Sequence, residues 1–360
     1  MKSIIKTTSL VVLATVVTFT ACRKKKEEVI PAVTPATAET LSQEVIVSFA
    51  STIALPQYND MSVGAINLVN AVANLNATTT QANLVIAQQE WKNLRSTWEQ
   101  SEAFLFGPVA DENLDPNVDD WPVNKNDFDS VLVSTAPLND STVANYQTSL
   151  KGFHALEYIL FDANQSKQAS NITPREKQYM TAIANDLKKN CTKMYTGWAQ
   201  NSGNYYHTFT TTNSVYTNKL QTLVTIVDAM ASICGEVGEG KIKSVYEGQD
   251  ASQEESQFSN NSFTDFRNNI IGVRNVYLGV YKANDSRGLE DIVRQYNLSL
   301  DGKIKQQMET AINSFNGFTK PFGQAIFTEA TQINTTIAAI NALKITLETE
   351  LKPLLQANIK

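Results

Sequence analysis

From residue 39 to its end this chain places apolar residues at helical spacing and almost nowhere at strand spacing, which restricts it to packed helices. Leu84, Trp91, Leu94, Trp98 and Leu105 recur at intervals of three, four or seven, so they share one face of a helix predicted from about Gln81 to Phe106. Thr173-Pro174-Arg175-Glu176 is a helix start: Thr173 is the N-cap, Pro174 takes the first helical position, and Glu176 closes a capping box. The helix that follows should run to about Gln200. Phe263, Phe266, Ile270, Val273, Tyr277 and Val280 predict a further helix of about five turns, and the stretch from about Thr328 to Lys360 is similarly periodic. The best strand candidate is Val131 to Val133.

Two breaks interrupt the pattern, at about Gly107 to Tyr146 and at Asn201 to Asn213; the second, rich in Asn, Thr and Gly, serves as a domain boundary. The expected fold is all-α, with antiparallel bundles of about four helices each spanning residues 39–200 and 214–360 and a linker at 201–213.

The first 21 residues read as an export signal, with Lys2 and Lys6 ahead of an apolar run from Leu10 to Phe19 that is too short to span a bilayer. Phe19-Thr20-Ala21-Cys22 follows the pattern of a lipoprotein cleavage site, making Cys22 a lipidated N-terminus. Residues 22–38, charged and carrying Pro31 and Pro35, form a flexible tether in this reading, and the chain faces the envelope from a bacterial membrane. Cys191 and Cys234 could form a disulfide in such a compartment or remain two buried thiols.

Cleavage removes two lysines and no acid, so 30 basic and 36 acidic side chains become 28 and 36, a net charge of −8. An exterior of that sign, without a basic stripe, repels phosphate backbones and excludes nucleic acid as a partner while favouring cations.

One short stretch carries chemistry. In Gly152-Phe153-His154-Ala155-Leu156-Glu157, His154 and Glu157 lie one helical turn apart on the same face, the pairing by which helical bundles build interior metal sites. Arg95 and Glu102 fall on the stripe of Trp91 and Trp98, where burial would require them to find partners. Ser262, Asp265 and Asn269 form a polar stripe of the kind that is usually solvated. The acidic loop from Asp111 to Asp115 fails as an EF-hand, because Pro116 stands at the required Gly and Pro122 at the required Glu. With Asp119, Asp120, Asp127 and Asp129 it reads as a solvated loop or a lid.

The G-x-H-x-x-E stretch resembles the signature of the imelysin-like family, which also carries a peptidase label. Glu90 to Pro108 is similar to that family's Trp/Arg/Glu helix, with Trp91, Arg95, Glu102 and Phe106 in place and Trp98 and Ser101 standing where Tyr and Thr are expected. Asp120-Trp121-Pro122 resembles its loop, and Glu254 to Gly279 its second-half segment, with Glu255, Ser256, Phe258, Ser259, Ser262 and Asp265 matching. The resemblance implies two bundles facing each other across a cleft, with the G-x-H-x-x-E helix beside it. The expected metal ligands are His154, Glu157 and Glu102, and Arg95, Trp98, Ser101, Glu255, Ser256, Ser259 and Asp265 are the expected ligand-binding residues.

A usual zinc peptidase needs H-E-x-x-H, which is absent, and the chain has only His154 and His207. An oxygen-rich site with one imidazole suits iron, manganese or calcium better. The family's association with iron uptake makes iron, or an iron-containing ligand, the favoured cargo and other iron-uptake components the expected partners. The alternatives are a metal-dependent peptidase, in which Glu157 would act in catalysis, and a non-catalytic scaffold that docks an uptake receptor.

Overall fold

The computed structural model describes residues 37–162 and 165–360; the export signal, Cys22 and nearly all of the tether lie outside them. Among the described residues the only strands are the two-residue pair Val280–Tyr281 and Asn284–Asp285, antiparallel with Val280 opposite Asp285. Everything else of regular structure among them is helical, and the described residues form one compact unit.

The helices sort into two packed groups. Leu55–Ala77, Gln81–Ser101, Gly152–Phe161 and Pro174–Trp198 lie against one another, and so do Lys219–Gly235, Ser262–Leu278, Leu298–Ser314 and Ala330–Thr346. Local chemistry sets their ends. The Thr173 hydroxyl accepts from the Glu176 amide at 3.1 Å while the Glu176 carboxylate accepts from the Thr173 amide at 2.7 Å, the reciprocal cap that the sequence predicts. The Trp-bearing helix stops at Ser101 and tightens into a 3₁₀ turn over Glu102–Phe104. Helix Ser262–Leu278 ends short of Val280 because Gly279 adopts φ +72°, a left-handed terminator that glycine accepts without strain.

Val131 to Val133 ends a helix, Lys125–Val133, instead of forming a strand: the side chain of Asn124 caps its start by accepting from the Asp127 amide. The break at 107–146 also contains short helices at Pro108–Asp111, Asp115–Val118 and Asp140–Ala144, and the 201–213 break contains Tyr205–Thr210. Cys191 and Cys234 are buried free thiols, which burial pushes up to about 12 and so keeps inert.

The two groups meet where helix Ser262–Leu278 lies on helix Gln81–Ser101. Their approach is close enough that a Cβ on Gly272 would sit 2.2 Å from the Gln100 carbonyl oxygen, so only glycine fits. That seam sets the charged face of the first helix against the polar face of the second.

Candidate functional site

Gly152 explains why the G-x-H-x-x-E stretch begins as it does. Its φ is +77°, and a Cβ there would lie 2.4 Å from the Val118 carbonyl oxygen. Glycine therefore lets the start of helix Gly152–Phe161 press against turn Asp115–Val118, whose next residue is Asp119. The contact brings Asp119 to His154.

The imidazole bridges two carboxylates: Nδ1 lies 3.0 Å from Glu157 Oε2 and Nε2 lies 2.9 Å from Asp119 Oδ1, with the ring only 1% exposed. Burial and the Arg95 guanidinium oppose a charge on the ring, but the two carboxylates outweigh them and push its pKa up to about 9, so His154 is an imidazolium at neutral pH. The other oxygen of Glu157 accepts from the amides of Phe258 and Ser259 at 3.1 and 2.7 Å and from the Ser259 hydroxyl at 2.7 Å. Glu157 thus ties the first helical group to segment Glu254–Ser259 of the second.

Arg95, fully buried, contacts Asp119, lies 2.6 Å from Glu99 and 2.7 Å from Glu255, and approaches Asp265 at 3.6 Å. Burial works against its charge, and those four carboxylates raise its pKa well above the ordinary value. Trp98 donates through Nε1 to Asp119 Oδ2 at 2.5 Å. Asp265 accepts from the Ser256 hydroxyl at 2.5 Å and from Asn261 at 2.6 Å. Lys241, also fully buried, lies 2.9 Å from Glu102 and 3.0 Å from Glu255, with Glu99 at 3.7 Å and the ring of Trp121 5.2 Å from its ammonium.

The charges do not balance. Glu99, Glu102, Asp119, Glu157, Glu255 and Asp265 are all buried, against Arg95, Lys241 and the His154 imidazolium. Ionising all six would leave an excess of negative charge in a dry interior, which is unfavourable. Burial accordingly raises Glu99, Glu102 and Glu255 against the pull of their cationic neighbours, and lifts Asp265 to about 7. Asp119 is the exception: Arg95 and His154 overcome its burial and hold it well below the usual carboxylate range. Two groups of donors are compact enough for a cation. Asp119, His154 and Glu255 offer ligand atoms within 4.8 Å of one another, as do Glu99, Glu102 and Asp119. Glu255 Oε2 is buried with no hydrogen-bond partner. These donors fit a metal of the oxygen-preferring class with one imidazole.

The imelysin family model matches residues 54–349. The chain belongs to the imelysin family. It is 28% identical to iron-regulated protein A of Synechococcus elongatus over 324 residues, covering 88% of this chain and 87% of that one. Its fold is similar to the crystal structure of a protein from Parabacteroides distasonis described as an iron-regulated protein A precursor, with TM-score 0.79 and 24% identity over 92% of this chain and 97% of that one. An imelysin-like protein from Psychrobacter arcticum gives TM-score 0.73 at 14% identity, over 89% and 97%.

In this imelysin-family chain the structure gathers His154, Glu157, Arg95, Trp98, Glu102, Glu255, Ser256, Ser259 and Asp265 into one assembly of hydrogen bonds and ion pairs. Ser101 stands apart: its hydroxyl donates to the Trp98 carbonyl at 2.7 Å and faces Met61 Sδ at 3.6 Å. Both oxygens of Glu157 are occupied by protein donors, and the nearest partners of Glu102 are Lys241 and Asn269, the latter at 2.6 Å. Asp119, instead of standing solvated in an acidic loop, is buried at the centre. Ser262, Asp265 and Asn269, a stripe of the kind that is usually solvated, are fully buried at the seam. His207 is exposed on its short helix.

Sequence reasoning passed over Glu99 and Lys241. Glu99 lies one helical turn beyond Arg95, so the spacing that singled out Glu102 offered Glu99 equally. Lys241 sits in a π-helical stretch, Glu236–Ser244, whose wider turn defeats the ordinary helical periodicity.

Proposed function

We propose that this protein binds a metal ion in the cell envelope, iron being the favoured cargo, with Asp119, His154 and Glu255 as its ligands and Glu157 as the residue that orients the imidazole. The observation that carries this reading is the surplus of buried carboxylates around His154, among which Glu255 Oε2 has no partner. Binding of a divalent cation at Nε2 releases the proton that bridges His154 to Asp119, and the exchange adds one net positive charge to the cluster. Glu157, held by three donors from residues 258–259, fixes His154 through Nδ1 and leaves Nε2 to face the Asp119 and Glu255 side, as carboxylates commonly do behind metal-bound histidines. Arg95 and Trp98 position Asp119, while Ser256 positions Asp265 beside Arg95. Glu102 holds Lys241 and stands outside this ligand set.

The iron assignment draws on the likeness to iron-regulated protein A and on the oxygen-rich donor set. A cavity of about 280 Å³ lined by Lys125, Glu254, Gln257 and Phe258 borders segment Glu254–Ser259 and is the proposed approach for the ion. Lipidation at Cys22 would tether the 39–360 body to the membrane, where iron-uptake components are its expected partners. Hydrolysis, the activity the family label carries, requires a scissile bond to reach a histidine that is 1% exposed; this burial favours binding over turnover.

Elemental analysis of protein purified without chelator tests the reading. One metal ion per chain is expected in the wild type, and Asp119→Asn, His154→Ala or Glu255→Gln should lower that to a small fraction while the chain stays folded. Metal content that is zero in the wild type, or unchanged in all three variants, would sink it.

A further inference from the structure

The two compact donor groups share Asp119: one runs through His154 and Glu255, the other through Glu99 and Glu102. Two oxygen-rich sets joined by a common carboxylate are the layout from which helical bundles make two-metal centres. Here one of the two halves already contains a cation. The Lys241 ammonium lies 2.9 Å from Glu102 Oε2, 3.7 Å from Glu99 Oε2 and 3.0 Å from Glu255 Oε1, with Glu236 at 3.8 Å.

From this geometry we infer that Lys241 is a resident counter-cation that fills the Glu99–Glu102 half of the chamber and limits the centre to a single metal ion. The inference deepens the metal-binding reading above and rests on it. A lysine whose side chain is 0% exposed is rare unless paired, and this one is paired with Glu102 and Glu255. Its ammonium is a compact point charge, the side-chain group nearest to a bare cation, whereas the planar guanidinium of Arg95 spreads its contacts over Asp119, Glu99 and Glu255. Being covalently attached, Lys241 competes with dissolved cations at a high effective concentration.

The backbone that delivers it is specialised. Residues Lys219–Gly248 form one continuous helix of 30 residues, and its middle, Glu236–Ser244, is π-helical. The wider turn buries Val237, Gly238, Lys241 and Ile242 together while Glu239 and Gly240 remain exposed. Gly238 lets this turn pack close to helix Ala330–Thr346, where a Cβ would meet Asn341 Oδ1 at 2.9 Å. On the other side, the Trp121 ring stands 5.2 Å from the ammonium, a contact that favours a cation at this point. The neighbouring Asn269 donates to both Glu99 Oε2 and Glu102 Oε2, at 2.8 and 2.6 Å, and so holds the two carboxylates as a pair facing Lys241.

Removing the ammonium while keeping the side chain's length should turn this half into a second metal site. Mn²⁺ stoichiometry, measured by titration and elemental analysis on the wild type, Lys241→Met and Lys241→Arg, is expected to give one, two and one ions per chain. One ion in both the wild type and a folded Lys241→Met chain overturns the inference and leaves the metal-binding reading standing. A wild type that binds no metal overturns both. Should Lys241→Met fail to fold, anomalous diffraction from wild-type crystals soaked in Mn²⁺ decides the matter. A single peak beside His154 is expected; a second peak against Glu99 and Glu102 would show that Lys241 does not keep that half closed.

Discussion

Two interiors meet at the end of helix Gln81–Ser101, and they are held together in opposite ways. On one side, Phe104 packs with Phe49, which also meets Phe106, Trp198 and Phe209, ring centroids 5.2 to 6.3 Å apart, edge-on or tilted. On the other side, Glu102, two residues earlier, belongs to the charged assembly around Arg95, Lys241 and His154. Phe49, Phe104, Trp198 and Phe209 are buried, as are Arg95, Lys241, His154 and Glu102. The aromatic interior gains from removing carbon from water, and its stability is insensitive to pH and to ions. The charged interior gains nothing from burial itself; it persists because each charge has partners that would be more costly to leave alone. The two interiors therefore differ in what holds them: the aromatic cluster rests on packing alone, whereas the charged one carries more carboxylates than cationic side chains.

The sharpest way to break this comparison is to cut one anchor from each side. Arg95→Ala strips a guanidinium from Glu99, Asp119, Glu255 and Asp265 and should destabilise the metal-free chain by roughly 3–5 kcal/mol. Trp198→Ala should cost a comparable ~3–5 kcal/mol by cavity formation. They should part company with pH. Thermal melts at pH 5 and pH 8 should show the Arg95→Ala deficit shrinking at the lower pH, as the orphaned carboxylates take up protons, and the Trp198→Ala deficit unchanged. Identical pH responses would mean that the charged assembly is ordinary packing.

The helices that frame both interiors were legible in the sequence, whereas the rings of Phe49, Phe104, Trp198 and Phe209 were not singled out by it. Trp91, Leu94 and Trp98 at helical spacing, and the Thr173 to Glu176 start signal, read directly because periodicity and caps are local properties. The His154–Glu157 pair was visible for the same reason, being one turn apart on one helix. What could not be read locally were the partners: Asp119 comes from a turn whose place is set by Gly152, and Lys241 from a stretch whose turn is not 3.6 residues. The sequence around Asp119 looks like a solvated acidic loop, and nothing in its own residues says that Arg95, Trp98 and His154 all converge on it. The polar stripe of Ser262, Asp265 and Asn269 misled likewise, since a charged helix face on the neighbouring group makes it an interior.

A pH series sharpens the contrast further and should give the next largest effect. His154 has its pKa raised from 6.5 to about 9, so its contribution to metal-free stability is fully present below about 6.5 and is lost as pH rises through about 9. Asp265 is lifted by burial from 3.8 to about 7, so its ionisation also subtracts stability as pH rises from about 4 to about 7. Asp119, held low by Arg95 and His154 against its burial, acts in the opposite sense and loses its contribution only as pH falls below its ordinary 3.8. Metal-free protein in chelator should therefore be most stable at mildly acidic pH and lose on the order of 3 kcal/mol between pH 6.5 and 9, most of it absent from His154→Gln. A melting temperature that is level from pH 5 to 9 would contradict the imidazolium bridge.

The smallest expected effect is the most diagnostic, because it separates what holds the fold from what serves the ligand. Burial raises the Glu255 carboxyl against the pull of Lys241 and Arg95, so the metal-free chain draws this group toward its neutral form, which a glutamine imitates in shape and charge. Glutamine keeps an oxygen to accept from Arg95 and Lys241, as Glu255 Oε1 does at 2.7 and 3.0 Å. The substitution should change metal-free stability by less than ~1 kcal/mol, well within the range of ordinary point mutations. With metal the two chains should diverge. At a concentration one hundred times its Kd, an ion that binds only the folded wild type adds about 2.7 kcal/mol of stability, and Glu255→Gln should forgo most of it. Paired melts with and without Mn²⁺ would show this as a shift present in one chain and missing in the other. Equal shifts would place the ion elsewhere, and a large metal-free loss would make Glu255 a structural ion-pair partner in the same sense that Trp198 is a packing one.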